Sequence, residues 1–130
     1  MISLWRILRK SDPFGPELRV SRQRRGVECQ LSLSGRINID SATPLRSLLL
    51  ECLQSPQCRE LTVDLYDVLY LDTSGLAVFV EVLKAAYVLG KIFQLTGLRN
   101  RPLYLLETTR LLHLFTQKEG QITPGGQNQL

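Results

Sequence analysis

The sequence predicts an α/β domain in which helices pack on a mixed sheet of four or five strands that opens with an N-terminal hairpin. Three observations predict it. Two short alternating apolar segments lie close together near the start, at residues 18–22 and 27–33. The apolar period then switches repeatedly between 2 and about 3.6 residues. Most switches are marked by Gly, Pro or a small polar residue able to cap a helix. The composition, 44% apolar and 22% charged, is that of a globular chain and excludes disordered, collagen-like and disulfide-scaffold classes.

Residues 1–16 set Ile2, Leu4, Trp5, Ile7 and Leu8 among basic residues and close on Asp12-Pro13-Phe14-Gly15-Pro16. They read as an N-terminal extension joined by a turn: an added strand or flap on its own domain, or an amphipathic helix for a membrane surface. The domain proper spans residues 17–116. Its hairpin turns through Gln23-Arg24-Arg25-Gly26, with Gly26 supplying a positive backbone angle. After Ser34-Gly35, Leu45, Leu48, Leu49, Cys52 and Leu53 recur at helical spacing, with Pro44 suited to the first turn and Thr43 to the cap. Residues 61–65 alternate as a strand. Leu76, Phe79, Val80, Leu83 and Tyr87 return to helical period, which Gly90 ends. Residues 92–95 make a further strand, residues 103–112 read as helical after Pro102, and residues 114–116 suit a last short strand. Residues 117–130, rich in Gly and Gln, read as a flexible polar tail. Strands alternating with helices imply parallel pairing through right-handed crossovers, and the hairpin adds an antiparallel member.

The net charge is +4, but residues 1–25 carry seven basic and two acidic residues, so the remainder is net −1. A basic excess confined to one end, without aromatic interleaving or a helix-turn-helix pattern, argues against a nucleic-acid surface. Arg6, Arg9 and Lys10 interrupt the apolar N-terminal stretch before a signal-peptide core forms, and no run reaches the length of a membrane span. A cytoplasmic protein with no membrane span is expected. Cys29, Cys52 and Cys58 make an odd count without CxxC or a paired His spacing, which points to reduced thiols and to neither a metal site nor a disulfide framework. No cofactor is expected.

The segment with chemical content is Asp72-Thr73-Ser74-Gly75, between a strand and an amphipathic helix. The first N–H groups of a helix have no internal partners, so Asp72 or Thr73 can cap them, and the positive end of the helix dipole accepts added negative charge. A hydroxyl there is a natural phosphate position. Phosphorylation would add about two negative charges and three acceptor oxygens, stabilised by the dipole and repelled by Asp72. On chemistry alone, a plain capping motif is the favoured reading of these residues.

Over residues 17–116 the chain resembles the STAS family, named for sulfate transporters and anti-sigma-factor antagonists. The pieces that carry the resemblance are Leu31-Ser32-Leu33-Ser34-Gly35 followed by Asn38, Leu61-Thr62-Val63-Asp64-Leu65 with residues 68–71, Asp72-Thr73-Ser74-Gly75-Leu76-Ala77, and the apolar stretch 112–115. The resemblance implies a STAS-like fold and a protein-binding switch rather than an enzyme. It implies that Thr73, directly after the aspartate, is phosphorylated by an anti-sigma factor that is itself a serine/threonine kinase. Asn38, Asp72, Ser74, Gly75 and Leu76 would then contact that partner. The unphosphorylated form would bind the kinase and so regulate transcription, and a phosphatase would reset it; a homodimer is left open. Two departures matter. Many antagonists carry an acidic residue, a hydrophobic one and aspartate after the glycine, where this chain has Arg36-Ile37-Asn38. Threonine in place of serine is closer to stressosome-type scaffolds and to the STAS subunit of lipid-transporting ABC complexes, which binds the ATPase.

Enzyme readings fit less well. Aspartic proteases need two facing copies of Asp-Thr/Ser-Gly on an all-β chain, whereas here Ser74 intervenes and one copy is present. The one histidine, His113, lies in an apolar run rather than beside a nucleophile, and no Walker-type loop occurs. The apolar leader, for its part, should pack on this domain or on another copy. Deleting residues 1–16 should therefore lower the melting temperature or shift the oligomeric state seen by light scattering; no change in either would favour a membrane or a different protein.

Overall fold

The computed structural model describes residues 17–116, so the leader and the polar tail lie outside the described residues. The elements run β1 (Leu18–Arg25), β2 (Glu28–Ile37), α1 (Ile39–Gln54), β3 (Glu60–Leu71), α2 (Thr73–Leu89), β4 (Ile92–Thr96), α3 (Asn100–Thr108) and α4 (Leu112–Thr116). The four strands form one sheet in the order β1-β2-β3-β4, antiparallel between β1 and β2 and parallel thereafter. This is the mixed, helix-packed sheet that the sequence predicts.

The hairpin pairs as far as Arg25 and Glu28, so its loop is only Gly26-Val27, with Gly26 at φ 57° in the first loop position, where a two-residue turn favours glycine. Alternation then sorts the sheet faces. Leu31, Leu33, Leu61, Val63, Leu65, Phe93 and Leu95 join Leu45, Leu49 and Leu53 of α1 and Leu76, Phe79 and Val82 of α2 in a single buried core. The intervening residues are polar. Among them Thr62 and Gln94 are buried, and the Gln94 amide satisfies both by donating to Thr62 Oγ1 and Glu60 Oε2, each at 3.3 Å.

Three local expectations are corrected. First, α1 starts at Ile39 rather than at Pro44. Asn38, not Thr43, is its cap: the Asn38 side chain accepts from Asp40 N at 3.0 Å, while Ser41 Oγ accepts from Asn38 N at 3.1 Å. Burial of Ser41 and Ala42 draws that extra turn onto the core, and Pro44 lies inside the helix. Second, β3 runs on to Leu71. Its alternation fails after Leu65 because the register with β2 shifts twice: Ser32 and Ser34 face Asp64 and Asp67, and Gly35 and Arg36 face Val68 and Tyr70. β3 thus carries one extra residue in each interval, as β-bulges do. Third, residues 114–116 belong to the helix α4 rather than to a strand. Phe115 is fully buried, with its ring edge-on to Phe93 at 6.2 Å, a contact with the core that a short apolar run does not reveal by its period.

The helix ends are closed from afar as well as locally. α1 has no basic residue in its last turn, and Lys91, at the entry to β4, donates instead to Leu53 O at 2.6 Å and Ser55 O at 3.0 Å.

If α4 completes the core in this way, Phe115→Ala should lower the unfolding free energy by about 3 kcal/mol or more, read from urea denaturation. A loss below about 1 kcal/mol would place α4 outside the cooperative unit.

Candidate functional site

β2 and β3 end side by side. Ile37 pairs with Leu71, and Asp72 N–H donates to Ile37 O at 3.3 Å. Each strand passes directly into a helix through one capping residue, Asn38 for α1 and Asp72 for α2, so two helix N-termini share one edge of the sheet. In open α/β sheets this carboxyl edge is where ligands and partners find exposed N–H groups and small side chains.

The Asp72 carboxylate organises the second of these ends. One oxygen, Oδ1, accepts from Ser74 N at 3.0 Å, from Gly75 N at 3.1 Å and from the Ser74 hydroxyl, while the Asp72 carbonyl takes Leu76 N at 3.0 Å. Ser74 is half-buried, with its hydroxyl committed to this carboxylate. Gly75 is buried for a steric reason: a Cβ there would lie 2.5 Å from Leu71 Cδ1 and 2.7 Å from Ile37 Cγ2. The first turn of α2 therefore rests directly on the two strand ends. Leu76 is buried in the core and shapes the edge from within.

Thr73 is different. It is the first residue of α2 and is exposed. It stands at one end of an open hollow of about 400 Å³ along α2, floored by Leu76, Ala77, Val80 and Leu111 and bordered by Glu81 and Lys84. Arg46 of α1 donates to Glu81 at 2.7 Å and, by that hydrogen bond, holds the exposed Glu81 carboxyl below its ordinary pKa. Asn38, Asp72, Thr73, Ser74 and Gly75 thus come together at one edge, with Leu76 directly beneath it.

The cysteines lie elsewhere, buried between β2, α1 and the loop before β3. The Cys29 thiol is lowered to about 6, chiefly by a hydrogen bond from Cys52 and further by the nearby Arg22, and the same contact raises Cys52. Among the described residues no cluster of three or more His, Cys, Asp or Glu side chains could hold a metal ion, and no helix is long and apolar enough to cross a membrane.

With this geometry in place, comparison with known proteins decides the family. Residues 20–116 match the family model described as "Mlab, STAS domain". The chain belongs to the STAS family. This STAS domain is 33% identical over 84 residues to the anti-sigma-B factor antagonist of Bacillus subtilis (strain 168), covering 65% of this chain and 75% of that protein. The fold is shared with the anti-sigma factor antagonist SpoIIAA in its unphosphorylated form, with a TM-score of 0.66 at 8% identity over 84% of this chain and 92% of the other. It is shared too with an anti-sigma factor antagonist from Mycobacterium paratuberculosis, with a TM-score of 0.63 at 20% identity over 75% and 82%.

Sequence reasoning placed Asp72 at the start of α2. It missed the reciprocal Asn38–Ser41 cap, whose signal is an Asn three residues before a Ser, and it missed the tyrosines of β3, hidden by the two bulges. Asp72→Ala in this STAS domain should cost about 1–2 kcal/mol of stability and speed hydrogen exchange at the Ser74 and Gly75 amides, measured by NMR. Unchanged exchange at those two amides would show that the carboxylate is not their partner.

Proposed function

We propose that this STAS domain is a phosphorylation-regulated binding switch of the anti-sigma-factor-antagonist type. Its unphosphorylated edge binds an anti-sigma factor with serine/threonine kinase activity, that kinase phosphorylates Thr73, and a phosphatase restores the binding form. The observation that carries this is the contrast between adjacent hydroxyls: Thr73 is exposed at the first position of α2, whereas the Ser74 hydroxyl is tied to Asp72. The sequence relation to the Bacillus subtilis anti-sigma-B factor antagonist supports the partner class.

The physical consequence of modification follows from the cap. Asp72 Oδ1 already occupies the Ser74 and Gly75 N–H groups, so a phosphate on Thr73 gains from the dipole but stands next to a carboxylate. The core below is untouched. The switch thus changes the charge of a contact surface by about two units while leaving the fold intact. Asn38, Asp72, Ser74, Gly75 and Leu76 form and support that surface.

A second reading keeps the edge and changes the partner. Threonine at 73, Arg36-Ile37-Asn38 after Gly35, and the match to the Mlab model favour a STAS subunit that binds the ATPase of a lipid-transporting ABC complex, with Thr73 as an unmodified contact.

The test uses the kinase recovered from the native cell on the unmodified domain. Wild type and Ser74→Ala should take phosphate on Thr73 by mass spectrometry, Thr73→Ala should take none yet still bind, and Thr73→Glu should bind about tenfold more weakly by calorimetry. Phosphate on Ser74 alone, or equal affinity for wild type and Thr73→Glu, would overturn the switch; recovery of an ATPase with permease in place of a kinase would establish the second reading.

A further inference from the structure

Beside the Thr73 edge lies a surface that the switch does not use. The bulged end of β3 exposes Leu69 at 69% and Tyr66 at 53%, with Tyr70 half-buried beside them. Two tyrosine rings there carry three arginines. The Arg36 guanidinium lies 4.3 Å above the Tyr70 ring, Arg101 lies 5.3 Å from the same ring, and Arg99 lies 3.7 Å above Tyr66 while its Nε donates to Tyr66 O at 2.9 Å. Arg99 and Arg101 are two residues apart at the start of α3, so both rings border the same short segment. Arg36 is the register partner of Tyr70, which places this surface two residues before Asp72.

A guanidinium stacked on a ring uses its π face and leaves its N–H donors pointing outward in the plane. Among the described residues, Arg36 pairs only through Nε, with Glu17 at 3.2 Å, and Arg101 makes only the ring contact. Stacking also holds the arginines in place, so docking loses less side-chain entropy. The start of α3 adds to the positive potential, because Arg99 provides no side-chain cap for its first N–H groups. Glu17, Asp64 and Asp67 are the carboxylates at the border; Glu17 is engaged by Arg36 Nε, and Asp64 Oδ1 accepts from Tyr66 N at 3.0 Å. Tyr104, one turn beyond Arg101 on α3, is 63% exposed and extends the aromatic content on the same helix face.

We infer that this arginine-on-tyrosine surface is a docking site for an acidic segment of a protein partner, whose carboxylates meet the fixed guanidinium edges of Arg36 and Arg101 while its apolar side chains cover Leu69 and the tyrosine rims. Carboxylates match these forks two-to-two. A single-stranded nucleic acid fits less well, because its bases need the ring faces that the arginines already cover. The inference rests on the reading of this domain as a protein-binding module and assigns the charge of the partner beside the switch.

The test needs neither kinase nor phosphate. The full-length isotopically labelled protein is titrated with a decaglutamate peptide, a decalysine peptide and a dT oligonucleotide, followed by NMR. Decaglutamate should shift the side chains of Arg36, Arg99 and Arg101 and the rings of Tyr66 and Tyr70. Arg36→Glu/Arg101→Glu should weaken it about tenfold, whereas Arg25→Glu/Arg59→Glu, at exposed positions outside this surface, should change it less than about twofold. Arg101→Glu alone, which touches only the Tyr70 ring, should give an intermediate loss with an unaltered fold. Equal losses in both double variants, shifts confined to other basic residues, no binding at millimolar peptide, or tighter binding of the oligonucleotide at the same residues would each overturn the proposal. A domain that binds the peptide here yet never takes phosphate at Thr73 would keep this site and lose the switch; the reverse result would do the opposite.

Discussion

The contact on which the edge depends is the approach of α2 to the ends of β2 and β3. Gly75 has no side chain, and the space a methyl group would need is filled by Leu71 and Ile37. Within the first turn of α2 the Asp72 carboxylate, as the helix cap, serves two backbone donors and a hydroxyl at once. The same approach puts Leu76 and Phe79 into the core. A first turn lifted away from the strands would lose that packing.

That constraint separates two adjacent hydroxyls by role. Ser74 turns back to the carboxylate and becomes part of the cap, whereas Thr73, at the first helical position, faces outward beside an apolar hollow. A helix start held by its own aspartate does not need a phosphate to be satisfied. The neighbouring N-terminus of α1, held by the reciprocal Asn38–Ser41 pair, is just as self-sufficient. Both halves of the edge are thus capped by their own residues.

The bulges of β3 have a second consequence. An unbulged strand of this length would keep a strict two-residue alternation, but two extra residues re-aim the chain and leave Tyr66 and Leu69 exposed, with Tyr70 half-buried, near the start of α3. Arginines from β2, from the β4–α3 connection and from the first turn of α3 then settle on the rings. Segments distant in sequence, around residues 36, 66–70 and 99–101, thereby form one continuous basic and aromatic surface next to the Asp72–Gly75 edge.

Much of this was legible in the sequence because it is local. The hairpin turn at Gly26, the helix stop at Gly90 with φ 67°, a cap at Asp72 or Thr73 and the alternation of strands with helices each depend on residues within about one helical turn of one another. Other features required the folded chain. Pro44 reads locally as a helix start, and only the burial of Ser41 and Ala42 on the core moves that start to Asn38. Residues 114–116 read as a strand until Phe115 meets Phe93, and β3 reads as ending at Leu65 until its register against β2 is seen. By itself the sequence determined the order of elements as far as α3 and the helix start at Asp72-Thr73-Ser74-Gly75, since capping and periodicity are properties of neighbouring residues. Tertiary structure alone decided where α1 begins, what α4 is and which arginines lie on which tyrosines, because those outcomes are set by contacts between residues that only folding brings together.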